Sequence, residues 1–168
     1  MNQTTVSDEA PARPGLFSVV VLVGMPGSGK STIARALSRK LRLALADSDQ
    51  AIEQRLGCSI RSYFDSHGEA AFRDVEEAVI DELTRGGASL VLATGGGAVL
   101  RPDNREVRRQ FGNVLYLRAA PEEIYRRVKH DRTRPLLQGG NPLEKLRELY
   151  AVRDSLYRET AHYIIETG

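Results

Sequence analysis

The chain has 168 residues, of which 41% are hydrophobic and 27% are charged, and its net charge is +2 at pH 7. This length favours one domain, and so small a net charge gives no support for nucleic acid or an anionic membrane as a partner. No apolar segment reaches the roughly 18 residues that a membrane-spanning helix needs, and the single cysteine, Cys58, excludes an intramolecular disulfide, so we expect a cytoplasmic protein.

The first fifteen residues are polar and contain Pro11 and Pro14. They show no basic segment followed by an apolar core, which argues against a secretory signal. We therefore expect a disordered leader over residues 1–15 and a single folded domain over residues 16–168.

The first predicted strand, residues 16–23, runs into Gly24-Met25-Pro26-Gly27-Ser28-Gly29-Lys30-Ser31, which matches G-x-x-x-x-G-K-[ST] at every fixed position. In such a loop, backbone N–H groups and the N-terminus of the next helix, predicted over residues 31–42, bind a polyphosphate. Lys30 would reach the β- and γ-phosphates, and the Ser31 hydroxyl would ligate Mg²⁺. The alternative is a glycine-rich turn without chemistry, which the position between a strand and a helix disfavours. The motif predicts a nucleoside triphosphate site.

Strand and helix patterns alternate along the rest of the chain. Further strands are predicted over residues 43–46, 90–93, 113–117 and 162–165, and helices over residues 69–84, 103–110, from 121 and over 143–157. Helical segments are also predicted between residues 50 and 69, with breaks at Leu56-Gly57-Cys58 and at His67-Gly68. Nearly unbroken apolar strands that alternate with helices indicate an α/β fold with a five-stranded parallel sheet covered on both faces. Ligands bind at the carboxyl ends of such strands, so we expect the loops after residues 23, 46 and 93 to converge on one crevice. This convergence predicts an active site rather than a nucleotide-binding module alone.

Two acids, Asp47 and Asp49, follow the second predicted strand, whereas the strand over residues 90–93 ends without a carboxylate. In an extended segment they would point to opposite sides, one toward a metal ion and the other toward a phosphoryl acceptor. The alternative is that Asp49 caps a helix beginning at Gln50. The residues alone leave both interpretations open.

Two further features are also ambiguous. The run Gly95-Gly96-Gly97 would let the backbone approach a bound molecule closely, or it would be a flexible turn. Arg73 has Glu69 and Glu77 four residues away on either side, which is typical of a solvent-exposed salt bridge on a helix.

A basic stretch follows the helix that begins at Pro121. It could be a solvated charge run, a nucleic-acid patch, or a lid over about residues 130–140 whose arginines bind the transferring phosphoryl group. The absence of an aromatic side chain that could stack on bases disfavours nucleic acid, and the lid is favoured. The basic residues are Arg126, Arg127, Lys129, Arg132 and Arg134.

In their order along the chain, these motifs resemble those of the shikimate kinase family, over about residues 18–166. The resemblance implies a fold like that of the nucleoside monophosphate kinases, with a lid. It also implies Mg²⁺-dependent transfer of the ATP γ-phosphoryl group to the 3-hydroxyl of shikimate, on the way to chorismate and the aromatic amino acids. The matching motifs are Lys30-Ser31-Thr32, Asp47-Ser48-Asp49, Phe72-Arg73, Thr94-Gly95-Gly96-Gly97, Arg134-Pro135-Leu136-Leu137, and Arg153 with Leu156-Tyr157.

The resemblance also implies roles for individual residues. Those for ATP are Gly27, Ser28, Gly29, Lys30, Ser31, Thr32, Arg127 and Arg134. Those for shikimate are Asp49, Arg73, Gly95, Gly96, Gly97 and Arg153, with Glu76 supporting Arg73. Those for catalysis are Lys30, Asp49 and Arg134, and those for Mg²⁺ are Ser31 and, through water, Asp47.

Shikimate carries one carboxylate, which Arg73 and Arg153 can bind with charge-assisted hydrogen bonds. We expect ATP and shikimate as ligands, no nucleic acid or membrane as a partner, and a monomer. Family members continue past the last strand with a loop that touches adenine and a final helix, whereas this sequence ends at Gly168.

Two other functions stay open. One is phosphorylation of another small molecule by the same fold, such as gluconate or a nucleoside monophosphate. A neutral acceptor would not need Arg73 and Arg153, and a nucleotide acceptor would favour a base pocket where this chain has three glycines. The other is a non-catalytic nucleotide switch or a nucleic-acid-binding protein, whose affinity for nucleic acid would fall steeply with salt.

Overall fold

The computed structural model describes residues 19–130 and 140–167 of the chain. Five strands form one sheet in which every pairing is parallel, in the order β2-β3-β1-β4-β5. Their bounds are β1 (Val19–Val23), β2 (Ala44–Asp47), β3 (Leu90–Ala93), β4 (Asn113–Arg118) and β5 (Tyr163–Glu166). The prediction of a five-stranded parallel sheet is confirmed. The predicted leader and residues 131–139 of the predicted lid, Arg134 among them, lie outside the described residues.

Six helices within the described ranges flank the sheet. They are α1 (Lys30–Leu41), α2 (Ser48–Leu56), α3 (Ile60–Arg85), α4 (Pro102–Phe111), α5 (Pro121–Val128) and α6 (Pro142–Thr160), with a 3₁₀ helix over Gly96–Leu100. Within α3, Gly68 has non-helical dihedral angles, φ 87° and ψ 172°. The predicted interruption at His67-Gly68 is therefore confirmed, because an angle in this region is accessible to glycine at little cost. None of the helices in the described ranges has the length and apolarity that crossing a bilayer would require.

The register of the central strands positions the loops that follow them. Leu22 of β1 pairs with Ala93 of β3, and Ala93 also pairs with Asp47 of β2. The chain therefore leaves β1, β2 and β3 at the same level of the sheet. The central strands are buried on both faces, since side chains such as Val21 and Leu92 have no exposed surface. This burial explains their unbroken apolar sequences.

Strand β5 forms one edge of the sheet and is joined to β4 through His162. The His162 N–H donates to the Val114 carbonyl at 2.9 Å, and the Val114 N–H donates to His162 Nδ1 at 3.0 Å. The imidazole thus extends the β4–β5 hydrogen bonding by one side-chain contact, a structural role rather than a metal-binding one.

Candidate active site

A cavity of about 340 Å³ lies at the carboxyl ends of β1, β2 and β3. It is lined by the phosphate loop (residues 24–31), by Asp47 and Asp49, and by the start of the glycine segment (Gly95-Gly96-Gly97). The prediction that three distant segments converge on one crevice is confirmed. A larger groove of about 630 Å³ runs between α3 and α4, but carboxylates such as Asp81, Asp103 and Glu106 line it and would repel a polyphosphate.

The phosphate loop presents backbone donors to this cavity. Gly27 and Gly29 have φ angles of 83° and 99°, which a residue with a Cβ adopts only under strain. Gly29 is the N-cap of α1 and supplies no side-chain hydrogen bond, so the first N–H groups of α1 remain available to an anion. The Lys30 ammonium donates to the carbonyls of Gly24 at 2.7 Å and Met25 at 2.9 Å, and so lies across the loop.

The acids after β2 differ from both predicted arrangements. Asp47, the last residue of β2, caps α2, because its Oδ1 accepts hydrogen bonds from the N–H groups of Asp49 at 2.9 Å and Gln50 at 3.2 Å. Asp49 is the second residue of that helix. The interpretation that Asp49 is the cap, and the interpretation that both acids lie in an extended segment, are therefore wrong. An Asp at the end of a strand is well placed to cap, so the helix begins two residues earlier than expected, at Ser48.

Asp49 has an unusual electrostatic environment. Burial raises its pKa to about 6, and the neighbouring carboxylates of Asp47 and Glu76 act in the same direction, while Lys30 opposes them. A Cβ atom on Gly95 would lie 2.8 Å from Asp49 Oδ1. Asp49 therefore faces the cavity as a carboxylate that accepts a proton more readily than an exposed one does.

Arg73 is held on the inner face of α3. Its side chain is 12% exposed, and its Nη1 donates to Glu76 Oε1 at 2.7 Å, while its Nε is 3.4 Å from Glu69 Oε2. Glu77 pairs instead with Arg101. The predicted ion pair of Arg73 with Glu69 is therefore confirmed, and the one with Glu77 is wrong. The inward partner is Glu76, whose side chain is 1% exposed. Burial raises the pKa of Glu76, and positive charges nearby oppose that shift.

The glycine segment touches a different part of the site at each residue. A Cβ on Gly96 would lie 2.8 Å from Pro26 Cδ of the phosphate loop, and one on Gly97 would lie 2.7 Å from Arg73 Nη1. None of the three has a φ in the left-handed region, so close approach rather than backbone freedom requires glycine here. The interpretation as a flexible turn is disfavoured, because Gly96 begins the 3₁₀ helix.

The remaining predicted site residues are three arginines, Arg127, Arg153 and Arg134. Arg127 Nη1 donates to the Ser28 carbonyl at 3.3 Å, and its other terminal nitrogen donates to the Thr167 carbonyl. Arg153 lies close enough to Glu76 and Tyr157 to act on the pKa of each. Arg134 lies outside the described residues.

The sequence analysis predicted no role for the side chains of two buried residues at the site, Tyr157 and Arg108. The Tyr157 hydroxyl donates to the Gly96 carbonyl at 2.6 Å, which fixes the glycine segment to α6. Arg108 on α4 is fully buried and donates to Thr94 Oγ1 at 3.2 Å. The sequence did contain one sign that Arg108 is buried: it lies beside Val107 on the apolar face of its helix, where a charged residue is unusual.

Comparison with known proteins agrees with this geometry. A family model described as shikimate kinase matches residues 26–168. The shikimate kinase of Paracidovorax citrulli is 61% identical over 145 residues, which cover 86% of this chain and 79% of that protein. The shikimate kinase of Ralstonia nicotianae is 54% identical, with 90% and 79% covered.

Solved structures give the same result. A shikimate kinase from Acinetobacter baumannii in complex with shikimate superposes with a TM-score of 0.84 at 46% identity, covering 90% of this chain and 84% of that one. A gluconokinase from Sinorhizobium meliloti reaches a TM-score of only 0.53 at 15% identity, with 90% and 82% covered, so the two share a fold alone.

Proposed function

Because this chain belongs to the shikimate kinase family, we propose that the cavity described above is where it transfers the γ-phosphoryl group of ATP to shikimate. The activity gives shikimate 3-phosphate and ADP, a step toward chorismate and the aromatic amino acids. The observation that carries this assignment of the site is that the phosphate loop, Asp49 and the glycine segment line one cavity.

The phosphate loop is the proposed ATP subsite. Its backbone N–H groups and the N-terminus of α1 would bind the phosphates, and Lys30 would exchange its two loop carbonyls for phosphate oxygens. The other proposed ATP residues in the described chain are Gly27, Ser28, Gly29, Ser31, Thr32 and Arg127. The contact between Arg127 and the Ser28 carbonyl supports its place beside the nucleotide.

Ser31 and Asp47 are the proposed Mg²⁺ residues, Asp47 acting through water. The donor set fits, since hydroxyl and carboxylate oxygens are the ligands that this hard cation prefers. Asp47 uses Oδ1 as the cap of α2, which leaves Oδ2 for a bound water. Mg²⁺ would supply charge neutralisation on the phosphate oxygens.

The acceptor subsite is proposed on the other side of the glycine segment. Arg73 and Arg153 would bind the carboxylate of shikimate, and the backbone of Gly95, Gly96 and Gly97 would lie against its ring and hydroxyls. Glu76 supports this role of Arg73 because it holds the guanidinium from the buried side.

Asp49 is the proposed acceptor of the hydroxyl proton. With a pKa near 6, it is mostly ionised at neutral pH and accepts a proton at moderate cost. A loose phosphoryl transition state needs little proton removal, so orientation of the hydroxyl is the larger contribution. Arg134, within the proposed lid over about residues 130–140, is proposed from the sequence to reach the transferring group.

We also propose that the protein is a cytoplasmic monomer whose residues 16–168 form one domain. An exposed, unpaired thiol at Cys58 supports a reducing compartment.

The function is tested by measuring ADP release with shikimate, gluconate and AMP side by side. We expect turnover with shikimate and none above background with the other two. Gluconate has a carboxylate but carries its hydroxyls on a flexible chain, and AMP has no carboxylate, so neither presents a carboxylate at a fixed distance from a ring hydroxyl. Faster turnover with gluconate or AMP would contradict the proposal.

The roles of the two arginines are tested with a neutral substrate analogue. Arg73→Ala and Arg153→Ala should each weaken shikimate binding about tenfold or more, the loss of one charge-assisted hydrogen bond, and Lys should restore only part of it. Shikimate methyl ester should bind these variants nearly as well as it binds the parent. Arg61→Ala, an exposed arginine on α3, is the control and should bind both ligands normally. If the ester loses as much affinity as shikimate, the arginines do not bind the carboxylate.

A further inference from the structure

Arg108 is a buried cation that the proposed mechanism leaves without a role. Its side chain has 0% exposure, Nε donates to the Asn104 carbonyl at 3.2 Å, and Nη1 donates to Thr94 Oγ1 at 3.2 Å. Its Nη2 is buried and has no hydrogen-bond partner among the described residues. Burial lowers its pKa to about 10, so the guanidinium keeps its charge at neutral pH. An arginine is rarely buried this completely without a charged partner.

The contact with Thr94 places Arg108 beneath the start of the glycine segment. The Thr94 hydroxyl donates to the Leu22 carbonyl at 3.0 Å, at the end of β1. Asn104, one turn earlier on α4, donates to the Ala98 carbonyl at 3.0 Å, just beyond the segment. Helix α4 therefore holds both ends of the glycine segment through buried side chains.

The charge of Arg108 acts on Glu76. No carboxylate among the described residues lies within 4.0 Å of the Arg108 guanidinium, but the Glu76 carboxyl is near enough for Arg108 to favour its ionised form, together with Arg73 and Arg153. Three arginines thus act on one buried carboxylate, and Arg73 is the one in contact with it. Arg73 and Arg153 are also the proposed ligands of the shikimate carboxylate, so Arg108 shares an electrostatic partner with both of them.

We propose that Arg108 is a positioning residue for the carboxylate of shikimate. Its charge keeps Glu76 ionised behind Arg73, and its bond to Thr94 fixes the backbone that Arg73 faces at Gly97. Arg108 thereby increases affinity for the carboxylate without touching it. This inference rests on the proposed role of Arg73.

The test compares binding of shikimate and of its methyl ester to Arg108→Met by calorimetry, with steady-state KM values for shikimate and ATP. Methionine fills much of the volume without the charge. We expect about a tenfold loss of shikimate affinity, because Arg73 loses an ionised partner that keeps it in place. Ester affinity and the KM for ATP should stay close to the parent values.

Arg108→Lys, which restores the charge, should recover most of the loss. Arg109→Met, an exposed neighbour on the same helix, is the matched control and should change none of these values.

A double-mutant cycle with Glu76→Gln tests the route of the effect. If Arg108 acts through Glu76, Arg108→Met should cost much less shikimate affinity in the Glu76→Gln background than in the parent. If Arg108→Met alone does not fold, the double variant, which removes both buried charges, is compared with Glu76→Gln instead. Equal shikimate affinity of these two variants is then expected, and a much weaker affinity of the double variant would overturn the route through Glu76.

Several outcomes would overturn the inference. A purely structural Arg108 would lower the melting temperature and leave shikimate affinity unchanged. Equal losses for shikimate and the ester, or no rescue by lysine, would show that its charge does not serve the carboxylate. If Arg73→Ala in the same experiment keeps shikimate affinity, the proposed role of Arg73 is wrong and this inference falls with it. If Arg73→Ala loses affinity and Arg108→Met does not, only this inference is overturned.

Discussion

Asp47 and Asp49 show how two identical side chains acquire different tasks from their position at a helix start. Oδ1 of Asp47 accepts hydrogen bonds from two N–H groups of α2. Asp49 donates one of those N–H groups, and its own carboxylate faces the cavity. The cap therefore survives any change to the Asp49 side chain. Catalytic and structural contributions can be separated at this position.

Asp49→Asn should lower kcat at least about 10²-fold, the lower end for a positioned acid or base. The free energy of unfolding should be unchanged or higher, because a partly buried charge is removed and the cap is kept. Turnover measured beside chemical denaturation checks both. Asp65→Asn, an exposed change on α3, serves as the control. Near-normal turnover in Asp49→Asn would leave Asp49 without a catalytic role.

Lys30→Ala should abolish phosphoryl transfer while shikimate still binds. The Lys30 ammonium lies across the phosphate loop, whereas Arg73 and Glu76 belong to α3. Calorimetry with shikimate, together with single-turnover kinetics, measures the two properties independently. Lys40→Ala, at the exposed end of the same helix, should leave both unchanged. Loss of most shikimate affinity in Lys30→Ala would contradict this separation.

At the scale of elements, the sequence predicts those boundaries that local chemistry determines. Strand β3 has the predicted bounds because its apolar run meets Thr94 and the glycine segment, and Gly68 interrupts α3 as predicted. Strands β2 and β5 each lie one residue later than predicted. The start of α2 was missed because capping depends on the direction in which Asp47 points, which a pattern of residue types does not contain.

The buried partner of Arg73 could not be predicted from the spacing of residues along the helix either. Residues three and four positions away are both neighbours on a helix, and only the orientation of α3 against the sheet decides which one faces inward. The family resemblance supplied Glu76, whereas the residues alone favoured Glu69 and Glu77. For Arg108 the sequence offered only its position beside Val107, since its environment arises from the packing of α4 against α3 and β4.

The edge pair β4–β5 should respond to pH through His162. Burial lowers the pKa of His162, and Arg109 acts in the same direction. Nδ1 accepts the Val114 N–H, so protonation of Nδ1 would also break this hydrogen bond. A depressed folded-state pKa contributes stability above the unfolded value of about 6.5, which is lost as pH falls through the folded value. The difference in unfolding free energy between the parent and His162→Ala should therefore shrink between pH 7.5 and pH 5. A constant difference would contradict it.

At the scale of the whole molecule, the strand order explains why one cavity collects the chemistry. Because β1 lies between β3 and β4, and β2 pairs with β3, the loops after β1, β2 and β3 emerge side by side. The parallel sheet was predictable from apolar strands alternating with helices. The order of its strands was not predictable from the residues, because it is decided by which long-range pairings bury the most surface.

Asp49 should cost the nucleotide-free protein stability as pH rises from about 4 to about 6. Burial raises the pKa of Asp49 to about 6, so in this window Asp49 binds more protons in the folded chain than in the unfolded one. Between pH 4.5 and pH 6.5, the unfolding free energy of the parent should fall relative to that of Asp49→Asn. Equal falls in the two proteins would mean that Asp49 titrates normally in the folded state.

The glycine segment has a consequence for inhibitors that bind in the cavity. A substitution that adds a small side chain beneath such an inhibitor would exclude it from the cavity. Here a single methyl group at any of the three positions would collide with Asp49, with Pro26 of the phosphate loop or with Arg73. Each such substitution would therefore also disturb a residue that is proposed to bind the substrate or the nucleotide. A compound resting on this backbone would therefore meet a surface that selection has little freedom to alter.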